Sequence, residues 1–130
     1  MESKEREVIN MYDDWIRMKQ RNLSLQPYFE ENKIENVAIY GMNKLGYTLL
    51  EELKLCGIMV KYGIDKTLAG KAFELPVKDL NEEWENIDAV IIAAFQYYDE
   101  VYSVIRAKLP HVKVIPLDIM IKRVLLEDER

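Results

Sequence analysis

Apolar positions near the start of the chain fall three and four apart. Val8, Met11, Tyr12, Trp15 and Met18 share one stripe with Lys19, and Ile9 and Ile16 widen it. That spacing is the helix period, so the first twenty residues read as an amphipathic helix. The stretch Arg21 to Leu25 breaks the stripe. In SLQPYFEEN, Ser24 is a candidate N-cap, Pro27 suits a first helical turn, and a short helix runs to Glu31 and ends at Asn32. Asn36 to Tyr40 is mostly β-branched, apolar or aromatic and reads as a strand. The helix period returns from Asn43 to Cys56, with Leu45, Leu49, Leu53 and Cys56 on one face and Leu50 beside it. Gly57 stands just past its end, where a helix C-terminus favours glycine. Ile58 to Ile64 reads as a second strand, and Thr67, Ala69 and Gly70 as loop. Glu74 to Val77 is a short edge strand, because Pro76 cannot donate to a central ladder. NEEWEN reads as a helical turn. Ala89 to Ala94 is apolar without alternation, as a strand covered on both faces must be. A helix from Tyr97 to Leu109 turns Tyr98, Val101, Val104 and Ile105 inward until Pro110 stops it. HVKVIPL is a further strand, and Asp118 caps a last helix whose inner face is Ile121, Val124 and Leu125.

Strands and helices alternate, so the predicted class is α/β with a parallel sheet. Right-handed crossovers leave few topologies. The expectation is a Rossmann-like three-layer domain over residues 34–130, with a five-stranded parallel sheet in the order 3-2-1-4-5, preceded by a helical arm over residues 1–33.

In such a sheet the ligand crevice opens at the carboxyl ends of the strands, where the strand order reverses. The turn Gly41-Met42-Asn43-Lys44-Leu45-Gly46 sits at its mouth. Gly41 permits a tight turn, Gly46 permits close helix–strand packing, and the first helical N–H groups favour an anion. The middle glycine of a dinucleotide turn is replaced by Asn43. Its amide either donates to a phosphate oxygen or caps the helix. Asp65 follows the second strand at the distance of a ribose-binding acid, and it equally suits a strand-ending turn with Lys66 beside it. After the fourth strand, Phe95 and Gln96 could stack on a base and bond a ribose, or serve as helix-start packing.

The segments IYGMNKLGYTLLEELKLCGIMVKYGIDK, LPVKDL and IDAVIIAA resemble a short Rossmann-like nucleotide-binding module of bacterial surface-polysaccharide and sugar-modifying proteins. Such modules are similar to the N-terminal half of sugar acyltransferases and also occur appended to glycosyltransferases. WIRMKQRNLSLQPYFEENKIENVAIYG resembles a leader found before them. The resemblance covers most of the chain. It implies an accessory module for a nucleotide or nucleotide-sugar, NAD(P) included, with the glycine turn at Gly41 and Gly46 and the post-strand acid at Asp65. This chain departs from the pattern at Asn43 and at Lys66, which stands where a second acid is usual.

Composition narrows the field further. At 130 residues and 49% hydrophobic, the chain is one domain with enough apolar side chains for a core. A net charge of -5 without a basic stripe disfavours nucleic acid. One cysteine excludes an internal disulfide and fits a cytoplasmic location. No apolar run approaches the roughly 18 residues of a membrane span, and MESKEREV is no signal-peptide core. Two Tyr-x-x-x-Lys spacings, Tyr40 with Lys44 and Tyr62 with Lys66, straddle a strand end, so neither pair shares a helix face for proton transfer. Cys56 with His111 is a formal thiol–imidazole pair, but a buried inert thiol suits the helix face better. The alternative to a ligand-binding module is a scaffold domain with an empty crevice. It would dock a partner domain or a second copy through Tyr12 and Trp15 of the first helix.

Overall fold

A computed structural model of the chain describes residues 3–68 and 74–129. Helix α1 spans Lys4–Gln20, α2 Gln26–Glu31, β1 Asn36–Tyr40, α3 Lys44–Leu55, β2 Met59–Ile64, β3 Val77–Lys78 and β4 Ala89–Ile92. A 3₁₀ turn at Phe95–Tyr97 leads into α4 (Tyr98–Lys108), followed by β5 (Lys113–Pro116) and α5 (Leu117–Asp128). All pairings are parallel, and the five strands lie in the order β3-β2-β1-β4-β5. Helices cover both faces, so the architecture expected from the apolar pattern is the one observed. Ala69 and Gly70 of the expected loop lie outside the described residues.

Alternate residues of the central strands feed two cores. Val37, Ile39, Ala89 and Ile91 point to a layer built by α1, α2, α3 and α5. Ala38, Tyr40, Val90 and Ile92 point to α4, through Val101 and Ile105, and to Trp84. Both faces of β1 and β4 are therefore dry, which is why their sequence lacks a polar alternation. Helix α1 is part of the first core. Met11, Trp15 and Met18 are buried there, and burial of each such side chain contributes about 1.5–3 kcal/mol. Glu52 of α3 ties it down further. Its carboxylate, 7% exposed, accepts from the Trp15 indole N–H at 3.1 Å and from Lys19 Nζ at 3.0 Å. Helix α3 ends as its sequence indicates. Gly57, at φ +72°, lets its own N–H reach Lys54 C=O and the Ile58 N–H reach Leu53 C=O.

Several local expectations need correction. The edge strand comes later and is shorter than Glu74 to Val77. Pro76 contributes only its carbonyl, which accepts from the Gly63 N–H at 2.8 Å, and pairing is confined to Val77–Lys78. NEEWEN is not helical. Asp79 Oδ1 accepts from the Asn81 and Glu82 N–H groups, and Trp84, 7% exposed, is drawn down onto the sheet with its indole N–H on Asp79 C=O. Burial of that one large ring decides the path of the segment. Strand β4 stops at Ile92, because the Ala93 and Ala94 N–H groups both turn to Tyr40 C=O. The cap of α5 is Pro116, in extended backbone, and Asp118 sits inside the first turn. Leu25, not Ser24, is the N-cap of α2, although Ser24 Oγ accepts the Gln26 N–H at 3.0 Å.

Candidate functional site

The chain leaves β1 through Gly41, whose φ of +100° is a left-handed conformation that glycine adopts freely. Its N–H donates to Ile64 C=O at 2.8 Å, so the turn is tied to the end of β2. Gly46 then lies against this turn. A Cβ at Gly46 would stand 2.0 Å from Gly41 O, so α3 can start here only with a bare backbone at that position. Asn43 is the N-cap in extended conformation, with Oδ1 accepting the Leu45 N–H at 3.2 Å. The capping alternative is the one realised, and it leaves the amide NH₂ as a donor.

Met42 and Leu45 do not face the crevice. Met42 is fully buried and Leu45 nearly so, both in the core on the α1 side. The Met42 thioether fills the space beside Gly63, where a Cβ would meet Met42 Cγ at 2.5 Å. Lys44 is exposed on the first turn of α3.

Asp65 turns back into the protein. One oxygen accepts the Met42 N–H at 2.9 Å. The other accepts the Thr67 N–H at 2.9 Å, the Thr67 hydroxyl at 3.0 Å and the Leu68 N–H at 3.0 Å. Partial burial pushes the carboxyl pKa up, but the bonds from Met42, Thr67 and Leu68 outweigh it and hold the group below its ordinary value. The same acid and the burial of the ring raise the pKa of Tyr40 at the end of β1, burial having the larger effect.

These elements border a cleft of about 560 Å³ at the point where the strand order reverses. Tyr40, Gly41, Asn43, Asp65, Lys66 and Thr67 line the side formed by β1 and β2. Leu80, Ala94, Tyr97, Glu100, Val101 and Val104 line the opposite side. The volume is in the range of small-molecule sites. Of the sequence-derived candidates, Gly41, Asn43, Asp65 and Lys66 meet here.

Phe95 and Gln96 lie elsewhere. Phe95 is buried beneath α1, and Gln96 borders a smaller hollow of about 330 Å³ with Lys4, Glu7, Asp99 and Asp118. Tyr97 and Glu100 border both hollows, and Lys4 Nζ lies 4.6 Å from the centre of the Tyr97 ring. The 3₁₀ turn rotates Phe95 away from the crevice, which the apolar pattern does not encode. The contribution of Leu80 and of α4 was likewise invisible, because it depends on how α4 crosses the sheet.

The remaining chemical candidates resolve into structure. Tyr62 donates its hydroxyl to Glu85 C=O at 2.6 Å, and burial with the Glu85 charge pushes its pKa up to about 12. Cys56 is buried against Ser24, and His111 is exposed. Among the described residues no group of three or more His, Cys, Asp or Glu side chains could hold a metal ion. Among them, too, no helix is long and apolar enough to cross a membrane. A third hollow, of about 480 Å³, lies between α2 and α5, bordered by Tyr28 and Arg123, and no candidate site residue reaches it.

Fold and site together define an α/β domain with a parallel sheet and a cleft at its topological switch point. No protein-family model matches the chain, and no curated protein matches it.

Proposed function

We propose that this chain is an accessory binding module for a nucleotide or nucleotide-sugar, with the chemistry carried by another domain or protein. The observation that carries the reading is the cleft of about 560 Å³ at the switch point, with the capped amino end of α3 on its border. Open α/β sheets bind ligands in that crevice, and the N-terminus of a helix favours an anion. A setting in bacterial polysaccharide assembly is part of the same proposal and rests on the sequence resemblance. A thermal-shift panel of NAD, NADP, UDP-sugars, coenzyme A and S-adenosylmethionine tests it. A ligand at a hundredfold excess over its Kd stabilises the fold by about 2.7 kcal/mol, which moves the midpoint by several degrees. No shift with any of these compounds would reject the reading for them.

Docking through the first helix is the second reading. Trp15 is 5% exposed and so is taken up by the core, while Tyr12, stacked on it, is half-buried. The outer face of α1 offers Ile9 and Ile16, 66% and 55% exposed.

A further inference from the structure

We infer that the cleft selects a ring-bearing molecule with one phosphate-type anion, such as a nucleoside monophosphate, over a two-nucleotide cofactor; this rests on the binding reading above. Three features of the cleft lead there. A carboxylate oxygen has two acceptor positions; Asp65 Oδ1 already receives three donors, from Thr67 and Leu68, and Oδ2 receives the Met42 N–H, which leaves one position on Oδ2. A ribose diol, which offers one hydroxyl to each carboxylate oxygen, would have to displace the donors on Oδ1 that hold the turn itself. Asn43 is the second feature. Its side chain, bonded back to the Leu45 N–H, stands where a pyrophosphate bridge needs bare backbone, and its amide NH₂ can serve a single anion. Lys66 is the third. It is exposed on the border of the cleft, and among the described residues it has no ion-pair partner.

The cleft is thus polarised. Donors from Asn43 and Lys66 occupy the side of β1 and β2. The facing side is apolar at Leu80, Val101 and Val104, with the Glu100 carboxylate as an acceptor at its border. A phosphate end meets Lys66 and Asn43, and a planar ring lies on the apolar side with an N–H directed to Glu100. The pyrophosphate and second ribose of a dinucleotide have no matching positions.

Calorimetric titration of the full chain tests this, using AMP, GMP and UMP, their nucleosides, NAD, NADP and a UDP-sugar. Lys66→Gln and Glu100→Gln are suitable variants, because both side chains are exposed and outside the core. At least one monophosphate is expected to bind about tenfold or more tighter than its nucleoside and than NAD or NADP, as one charge-assisted hydrogen bond supplies. Lys66→Gln should abolish most of that phosphate preference. Glu100→Gln should weaken nucleoside and monophosphate alike. NAD or NADP binding as tightly as any monophosphate overturns the inference and leaves the binding reading standing. Binding of the UDP-sugar without any monophosphate does the same, as does a phosphate preference unchanged in Lys66→Gln. Binding of no compound overturns both.

Discussion

Asp65 shows how one side chain can take a structural task where the sequence pattern suggests a ligand-binding one. Its folded pKa lies below the 3.8 of an unperturbed carboxyl, so folding stabilises the charged form. That contribution is present in full above about pH 4 and is lost as pH falls through the depressed value. Asp65→Asn is therefore expected to destabilise the protein at pH 7 by about 1–2 kcal/mol, discounted for the exposure of the group. The gap between variant and parent should narrow as pH drops toward 3. Urea midpoints of both proteins at the two pH values measure it, and a constant gap would mean that the charge has no part in holding the turn. Gly46 illustrates the other kind of residue effect. Its constraint is steric and pH-independent, since the carbonyl of Gly41 fills the space a side chain would need.

Among the elements, α1 is the one whose role the sequence left open. Its stripe placed Met11, Trp15 and Met18 inward, as they are, and also Ile9 and Ile16, which are exposed, but it did not tell whether the inner face meets this sheet or another molecule. The structure answers through Glu52, the one charged side chain buried among the described residues. Glu52→Ala would leave the Trp15 indole N–H unpaired inside the core. An expected cost of about 1–3 kcal/mol follows, and Glu52→Gln should cost less because an amide oxygen still accepts from Trp15. Chemical denaturation of both variants checks the order, and equal costs would show that the Lys19 charge pair dominates. The edge strands show local chemistry at work. Lys113 donates its N–H to Asp88 C=O, so the backbone groups of Val114 and Pro116 lie on the free side of β5, where Pro116 has no N–H to offer. The free edge is thereby blunted against pairing with another sheet.

For the molecule as a whole, the two cores share one sheet, and α1 is built into one of them. Unfolding should then be a single event. The chain has two tryptophans, Trp15 in α1 and Trp84 against the opposite face. In a Trp84→Phe variant, the fluorescence of Trp15 reports on α1 while far-ultraviolet dichroism reports on all helices and strands. Coincident transitions are expected. An earlier fluorescence transition would mean that α1 detaches as a separate unit.

Sequence alone determined the elements, the class and the parallel sheet, because these follow from apolar periodicity and from glycine and proline at element ends, and the strand order was then expected from the right-handed crossover rule. Those signals act over a few residues and survive without knowledge of distant contacts. It also located the turn from Gly41 to Gly46 and allowed Asn43 as a cap, since capping is a local hydrogen bond. Only the tertiary structure decided which way Asp65, Met42 and Phe95 point, that Trp84 pulls NEEWEN out of a helix, and that Leu80, Tyr97 and Glu100 complete the cleft. Each of these depends on packing between segments far apart in the chain. There the burial of a ring or the inward hydrogen bonding of a carboxylate outweighs local preference.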